Sequence, residues 1–239
     1  MKKFFKKAAT TALIFSFVVG GVNIPTAQAF SLGDIGKIAT GLLGGTTDIN
    51  KANDRMLENF YYSTALLQAA YTNVKMATDD SIANKNLITQ EQAVKSAVKT
   101  NDAGINMKNG AEQNKKDAEN MKSYLSNALA SGDEEKLKQI DSFIQTANSQ
   151  RLLSDVMAGV AYAQTGMIIA TQVKSVVSGN MGGIDNIIAV AKEVDGLLKI
   201  RNQLSSTLKT ATEEYRKARG IKDPSKKEQK AAAAQIEKG

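Results

Sequence analysis

The sequence predicts an all-α protein: an elongated antiparallel bundle of about four to six helices that folds after removal of an N-terminal signal peptide. Three observations support this prediction. The chain has 239 residues and only two prolines, Pro25 and Pro224, so that no proline ring interrupts a helix between residues 30 and 223. Apolar residues recur at steps of three and four, which places them on one face of a helix. Aromatic and β-branched residues do not alternate as they would in hairpins.

The first 29 residues have the pattern of a secretory signal peptide. Four lysines stand within residues 1–7, an apolar run covers residues 12–19, and Ala27 and Ala29 form the small-residue pair that signal peptidase recognises. The apolar run is too short to span a bilayer, which takes about 20 residues. We therefore expect cleavage after Ala29 and export to the periplasm or the outside of a bacterial cell; the alternative is a retained N-terminal anchor.

The positive charge of the chain comes from its two ends. The 31 basic and 24 acidic residues give a net charge of +7. The leader holds four of the lysines and no acid, and residues 216–239 hold eight basic and three acidic residues. Residues 30–215 are therefore slightly acidic. A nucleic-acid-binding domain needs a basic face, so that we expect no nucleic-acid partner.

The residue inventory argues against an enzyme. The chain has no cysteine and no histidine, which excludes disulfides, ordinary zinc sites and Ser-His-Asp or Cys-His catalysis. The Ser-x-x-Lys spacing of penicillin-recognising enzymes occurs at Ser96 and at Ser206, without the companion motifs. We predict no catalytic residue, no metal, no cofactor and no small-molecule substrate.

Residues 30–45 are predicted to form a short amphipathic helix at the mature N-terminus. Ser31 and Asp34 have the spacing of a capping box. This helix can lie on a membrane or dock on the bundle, and docking is favoured because Asp34 and Lys37 are the only charges on its polar face. Its candidate membrane or partner surface consists of Leu32, Ile35, Ile38 and Leu42.

The bundle domain is predicted to cover residues 46–220 and to begin with a long helix over residues 48–78. Apolar and small residues recur there in a seven-residue repeat, which is typical of close antiparallel packing and of coiled coils. Leu57, Tyr61 and Tyr71 are expected to widen the same buried stripe. The positions of the repeat are Ile49, Asn53, Met56, Phe60, Ser63, Leu67, Ala70, Val74 and Ala77.

The next helix is predicted to open at a capping box formed by Thr89 and Gln92 and to run to about residue 130. Its centre, residues 99–116, is polar and contains two glycines. Each glycine costs a helix about 1 kcal/mol relative to alanine. We therefore expect a mobile or broken stretch in this part of the helix.

The helical pattern restarts at residues 131–134. Glu134 and Lys138 are predicted to pair one turn apart on the outer face of this helix. The residues predicted to point inward are Leu137, Ile140, Phe143 and Ile144.

Residues 156–173 form an uncharged run within a helix predicted over residues 151–178. Eighteen helical residues rise about 27 Å, slightly less than the roughly 30 Å hydrocarbon core of a bilayer. Gln164 and Thr165 lie at the middle of the run, where polar groups are costly in lipid unless a neighbouring helix bonds them. A helix that is apolar nearly all round is typical of the centre of a bundle. We therefore predict that this stretch is buried among other helices.

The last long helix is predicted over residues 184–219. Its seven-residue repeat is broken once, by Arg201, and Gly220 and Pro224 mark its end. The positions of the repeat are Ile187, Val190, Val194, Leu197, Leu204, Leu208, Ala211 and Tyr215.

The tail, residues 221–239, is predicted to be basic and disordered. From residue 225 onward it contains one large apolar side chain, Ile236, which is too little to order a segment by burial. Its charge is compatible with contact to an anionic membrane or envelope polymer or with a merely solubilising role. The lysines of this candidate surface are Lys222, Lys226, Lys227 and Lys230.

These observations predict an exported, non-enzymatic helical bundle that acts through protein–protein contacts or self-association in the bacterial cell envelope. A structural, chaperone-like, secretion-associated or pilus-associated component would have this organisation, and no motif singles out one known family. The alternative function is a membrane-active protein that inserts the helices over residues 156–177 and 184–200. In that case the charges within residues 184–200 would have to face a water-filled lumen.

Overall fold

The computed structural model describes residues 49–97, 111–177 and 184–236. These residues form six α-helices and a short 3₁₀ helix, and the described ranges contain no strand, so that the all-α prediction is confirmed. The elements are α1 Ile49–Ala77, the 3₁₀ helix Ile82–Asn84, α2 Gln90–Ala97, α3 Ala111–Ser131, α4 Glu134–Val177, α5 Ile184–Arg219 and α6 Lys226–Ile236.

Several predictions concern residues outside the described ranges. They are the signal peptide with Ala27 and Ala29, the N-terminal helix with its surface of Leu32, Ile35, Ile38 and Leu42, and most of the polar stretch over residues 99–116.

The chain divides into two compact units. One unit comprises Met1–Leu57 and Gly159–Lys199, and the other comprises Glu58–Ala158 and Ile200–Gly239. We call them the first and the second unit. The hydrophobic core and the polar contacts described below belong to the second unit unless stated otherwise.

The core of the second unit is built from four helices, which each contribute one apolar stripe. The predicted repeat of α1 is confirmed from Met56 to Ala77, because every one of its positions in that range is buried. Leu57 is different: its side chain is 44% exposed, so that its predicted place in the stripe is wrong. The core residues are Leu67, Ala70, Val74 and Ala77 of α1, Ala118, Met121, Leu125 and Ala128 of α3, Leu137, Ile140, Phe143, Ile144 and Ala147 of α4, and Leu204, Leu208, Ala211 and Tyr215 of α5, with Ile82.

Helices α4 and α5 of the second unit run antiparallel. Their contacts show this directly, because the residue numbers rise along α4 while they fall along α5. Glu134 contacts Arg219, Asp141 contacts Tyr215, and further along α4 Arg151 contacts Ser205. The connection from α3 to α4 takes only two residues, which also requires antiparallel neighbours.

Local sequence signals define the helix ends. The predicted capping box is confirmed: the Thr89 backbone N–H donates to Gln92 Oε1 at 2.9 Å, and the Gln92 N–H donates to Thr89 Oγ1 at 3.2 Å. Between α3 and α4, Gly132 has a φ of +67°, a conformation that glycine adopts without steric cost. The Asp133 carboxylate then accepts from the Lys136 N–H at 3.1 Å and caps α4.

Helix α4 is longer than predicted. The sequence pattern indicated a helix beginning near residue 131 and another over residues 151–178, whereas a single helix runs through Glu134–Val177. The physical reason is that no glycine or proline occurs between residues 134 and 158, so that nothing interrupts its backbone hydrogen bonds.

The predicted disorder of the tail is wrong for residues 226–236, which form α6. Ser225 and Glu228 make a capping box that the sequence analysis missed: the Ser225 N–H donates to Glu228 Oε2 at 2.6 Å, and the Glu228 N–H donates to Ser225 Oγ at 3.3 Å. Ala233 and Ile236 are buried on one side of this helix. The cap, the good helix formers and this small apolar face each contribute to the order of α6.

A substitution in the core tests this packing. Ile144→Ala removes a fully buried side chain. It should lower the free energy of unfolding by about 2–5 kcal/mol, because apolar burial is lost and a cavity remains in the core. The measurement is urea denaturation followed by circular dichroism. Leu57→Ala is the matched control, and its expected loss is below about 1 kcal/mol; equal losses for both variants would contradict the assignment of the core.

Candidate functional site: a buried polar cluster

The second unit contains a group of charged and hydroxyl side chains, most of them buried, which is its most distinctive chemical feature. We call it the polar cluster and define it as Ser63 of α1, Asn148, Arg151, Ser154 and Asp155 of α4, Arg201, Ser205 and Arg216 of α5, and Asp223, which follows α5.

Asp155 is the centre of the polar cluster because both of its carboxylate oxygens are engaged. Oδ1 accepts a short hydrogen bond from Nη2 of Arg201 and a 2.9 Å bond from the Ser205 hydroxyl. Oδ2 accepts from Nη1 of Arg151 at 3.1 Å. Arg201 is only 4% exposed. A buried carboxylate that is shared by two guanidinium groups has its charge compensated and its lone pairs used.

Ser63 and Ser154 join α1 to α4 at the same place. The Ser63 hydroxyl donates to the Ser154 carbonyl oxygen at 2.9 Å, and the Ser154 hydroxyl donates to the Ser63 carbonyl oxygen at 2.6 Å. Arg201 Nε donates to Ser63 Oγ at 2.9 Å, and its Nη2 donates to Ser154 Oγ at 3.1 Å. Because serine side chains are small, the backbones of α1 and α4 can approach closely enough to form these bonds.

The polar cluster continues towards the end of α5. Arg151 Nη2 donates to Asn148 Oδ1 at 3.3 Å, and Asn148 Nδ2 donates to Asp223 Oδ1 at 2.9 Å. Arg216 Nη1 donates to the same oxygen at 2.5 Å. A continuous series of hydrogen bonds therefore connects Ser63 with Asp223.

The charges of the polar cluster do not cancel. It holds three guanidinium groups and two carboxylates, so that one positive charge is left over. Burial lowers the pKa of Arg151; the Asp155 charge opposes this effect, and the charge of Arg216 adds to it. Burial raises the pKa of Asp223, but hydrogen bonds from Asn148 and Arg216 outweigh it, and the net shift is downward. The Asp223 carboxylate is thus more stabilising to this site in its charged form.

A group of buried amides lies next to the polar cluster and holds the loop before α2. Asn73 Nδ2 donates to Gln150 Oε1 and to the Ile88 carbonyl oxygen, both at 2.9 Å. Gln150 Nε2 donates to the same carbonyl at 2.8 Å, and the Ile88 N–H donates to Asn73 Oδ1 at 3.0 Å. The loop is therefore bonded to α1 and α4 together.

A second ionic group ties the start of α4 to the end of α5. The Tyr215 hydroxyl donates to Asp141 Oδ1 at 2.9 Å, and Arg219 donates to both Asp141 and Glu134. Glu134 therefore binds Arg219, 85 residues away, and not the predicted partner Lys138. The long-range bond wins because Arg219 presents a planar pair of donors to each carboxylate.

Residues 156–173 contain Gln164 and Thr165, the two polar residues on which the prediction of a buried helix was based. In the first unit, Gln164 is 1% exposed and Thr165 is also buried, as predicted. The Thr165 hydroxyl donates to the Ala161 carbonyl oxygen at 2.9 Å. Among residues 49–97, 111–177 and 184–236, no helix has the length and sustained apolar character of a membrane-crossing segment.

None of the candidate surface and motif residues that are described is a member of the polar cluster. Ser96 uses its hydroxyl locally, in a 2.7 Å bond to the Ala93 carbonyl oxygen, and Ser206 is exposed. Within the described part of the chain, no three acidic side chains come together as metal ligands. The four candidate lysines of the tail, all exposed, are Lys222, Lys226, Lys227 and Lys230.

Comparison with known proteins assigns this chain to no family. No protein-family model matches the sequence, and no curated protein or solved structure matches it.

Sequence reasoning missed most of the polar cluster. One signal was visible: Arg201 stands at a core position of the α5 repeat, where an unpaired charge would be very costly. A buried arginine requires a carboxylate, and Asp155 borders the uncharged run over residues 156–173. The two residues are 46 positions apart, so that no local pattern could have paired them.

The polar cluster predicts an asymmetry between two substitutions. Asp155→Asn leaves Arg151 and Arg201 without a counter-charge and should cost about 3–5 kcal/mol of unfolding free energy. Arg201→Met should cost less, because Asp155 keeps Arg151 and Ser205 as partners. The double variant should lose less than the sum of the two single losses. Urea denaturation of the four proteins is the measurement.

Glu135→Gln is a suitable control for that experiment, because Glu135 is exposed on α4 and surface changes stay within about 0.5 kcal/mol. Additive losses in the double variant would contradict a direct bond between Asp155 and Arg201.

The titrating groups predict a plateau of stability between about pH 6 and pH 9, because the chain has no histidine or cysteine. Hydrogen bonds from the Ser81 hydroxyl and N–H lower the pKa of Asp79 to about 2, and the pKa of Asp223 is also lowered. Burial and a bond to an aspartate raise the pKa of Tyr71 and of Tyr215.

The sign of each effect follows from linkage. Carboxylates with lowered pKa stabilise the fold above their ordinary pKa, and this contribution is lost as the pH falls through the folded-state value. Tyrosines with raised pKa stabilise it below about pH 10, and this contribution is lost as the pH rises further. Urea midpoints measured from pH 2 to pH 11 should show both limbs, and Tyr215→Phe should weaken the alkaline one. A steep slope between pH 6 and pH 9 would contradict the account.

Proposed function

We propose that the chain is an exported, non-enzymatic helical bundle that acts through protein–protein contacts in the bacterial cell envelope. The observation that supports this most is the use of its buried charged groups. Arg151 and Arg201 donate hydrogen bonds to Asp155, and Arg201 also donates to Ser63 of the neighbouring helix α1. These hydrogen bonds are all made to other residues of this chain. Groups that are used in this way fix the helices relative to one another, which gives the protein a rigid helical surface. They are not available to bind a substrate.

The carboxylates of the second unit also favour a structural role. A hydrolase that works without histidine, cysteine or metal would need two acids that face each other and differ in protonation. Three of the acids described above are engaged by arginines: Asp155 by Arg201, Asp141 by Arg219 and Asp223 by Arg216. An arginine partner keeps a carboxylate charged and occupied.

Export is proposed on the sequence of the leader, residues 1–29, and on the architecture that follows it. An exported protein without cysteine has to reach its stability through its core. The second unit has such a core, which is built from four helices, and the polar cluster lies within the same unit. The candidate partner surfaces remain the apolar face of residues 30–45 and the exposed lysines Lys222, Lys226, Lys227 and Lys230.

The proposal predicts a specific protein partner or self-association. The mature protein should elute above its monomer mass in size-exclusion chromatography with light scattering, or should retain one reproducible protein from envelope extracts of its source bacterium. A strict monomer that retains no protein, under a range of salt and pH conditions, would contradict the proposal.

Liposomes separate this function from the membrane-active alternative. The expected result is no release of dye from anionic or neutral vesicles, because Gln164 and Thr165 of the uncharged run are buried in protein. Release at low protein concentration, abolished by a charge placed at Val160, would favour the alternative instead.

A further inference from the structure

The segment that follows α5 turns sharply and returns to the polar cluster. Gly220 has a φ of +68°, and the Ile221 N–H donates to the Arg216 carbonyl oxygen at 2.9 Å. This is the Schellman ending of a helix, in which a glycine reverses the chain. Ile221 packs against the hydrophobic core, and two residues later Asp223 reaches Asn148 and Arg216.

The groups that receive Asp223 belong to the long helices and not to the tail. Asn148 lies on α4 and Arg216 on α5, and Arg216 is only 8% exposed. They donate to the same Asp223 oxygen at 2.9 and 2.5 Å. Arg151, bonded to Asn148, adds a second buried positive charge beside that of Arg216. The helices therefore present an arrangement of donors and positive charge that suits a carboxylate.

The charge balance makes this arrangement dependent on the tail. Without Asp223, the three guanidinium groups of the polar cluster would face Asp155 alone. Asp223 itself is at the edge of the cluster, with a side chain that is 56% exposed. A half-exposed contact that compensates a buried charge can open without unfolding the core, and opening leaves a site that lacks its anion.

Helix α6 is held by a small interface compared with the four helices that build the core. It has eleven residues and buries Gln229, Ala233 and Ile236. Ala233 and Ile236 are thus its only buried apolar side chains, so that hydrophobic burial alone holds it weakly. Its closed position then depends on the contact that Asp223 makes at the start of the segment.

We infer that Asn148, Arg151 and Arg216 form a carboxylate-binding site, and that residues 221–236 are a clip that closes this site with Asp223 and releases it when the clip opens. The open site would accept the carboxylate of another acidic group in its place. This inference does not depend on the proposed function, because it concerns an equilibrium within the second unit.

Hydrogen exchange tests the clip. In Asp223→Asn, amides of residues 226–236 should exchange at least about tenfold faster than in the wild type, and amides of core residues 137–147 should be unchanged. Glu135→Gln, which removes an exposed carboxylate from α4, should change neither region. Unchanged exchange in residues 226–236, or an equal increase in residues 137–147, would overturn the clip.

Formate tests the chemistry of the site. In Asp223→Ala, which removes the native carboxylate, sodium formate should raise the thermal midpoint more than sodium chloride at the same ionic strength, because a bound anion stabilises the folded state. In the wild type, where Asp223 occupies the site, the two salts should act alike. The absence of a formate-specific gain in Asp223→Ala, or an equal gain in the wild type, would overturn the carboxylate site.

Discussion

The contact between the Asp155 carboxylate and the guanidinium groups of Arg151 and Arg201 is the constraint on which the second unit depends. A buried ion pair contributes little net stability compared with a well-packed apolar pair, but a buried charge without its partner is strongly destabilising. Asp155 must therefore face Arg201, and α4 and α5 can adopt only one relative register. Arg201 also donates to Ser63, which extends the same constraint to α1.

The apolar core alone would not impose this register. Its repeat on α1 and α5 consists mostly of small and aliphatic side chains at seven-residue spacing, and a shift by seven residues would again bring apolar residues together. Such a shift would bury Arg201 against apolar atoms and leave Asp155 without a counter-charge. The buried amides of Asn73 and Gln150 act in the same way, because each would lose its partner.

The positive charge that Asp155 alone leaves uncompensated in the polar cluster explains why residues 221–236 are ordered. Asp223 brings the second carboxylate, and Ile221 adds an apolar contact with the core. The tail is lysine-rich, but its order comes from these two anchors and from the Ser225 capping box. Composition averaged over the segment predicts disorder, whereas three particular residues decide the outcome.

Periodic features were predictable from the sequence, and long-range polar contacts were not. The stripes of α1, α4 and α5 follow from apolar spacing, and the Thr89 capping box follows from a local motif. Glu134 was assigned to Lys138, four residues away, because local spacing cannot reveal Arg219. The same limit applies to Asp155, whose partner was visible only as the irregularity at Arg201. The exposure of Leu57 has a related cause. Spacing predicts the direction in which a side chain points from its helix, but it does not show whether a neighbouring helix covers that side chain.

The charged groups around Asp155 bond to one another and to the neighbouring helices, which suits a protein that offers a rigid surface to other proteins. The most direct test of the central claim is NMR measurement of hydrogen exchange at the side-chain Nε–H of Arg201. The account predicts exchange slower by at least about a hundredfold than at exposed Arg55, because Arg201 Nε donates to buried Ser63. Equal exchange rates at the two arginines would contradict it.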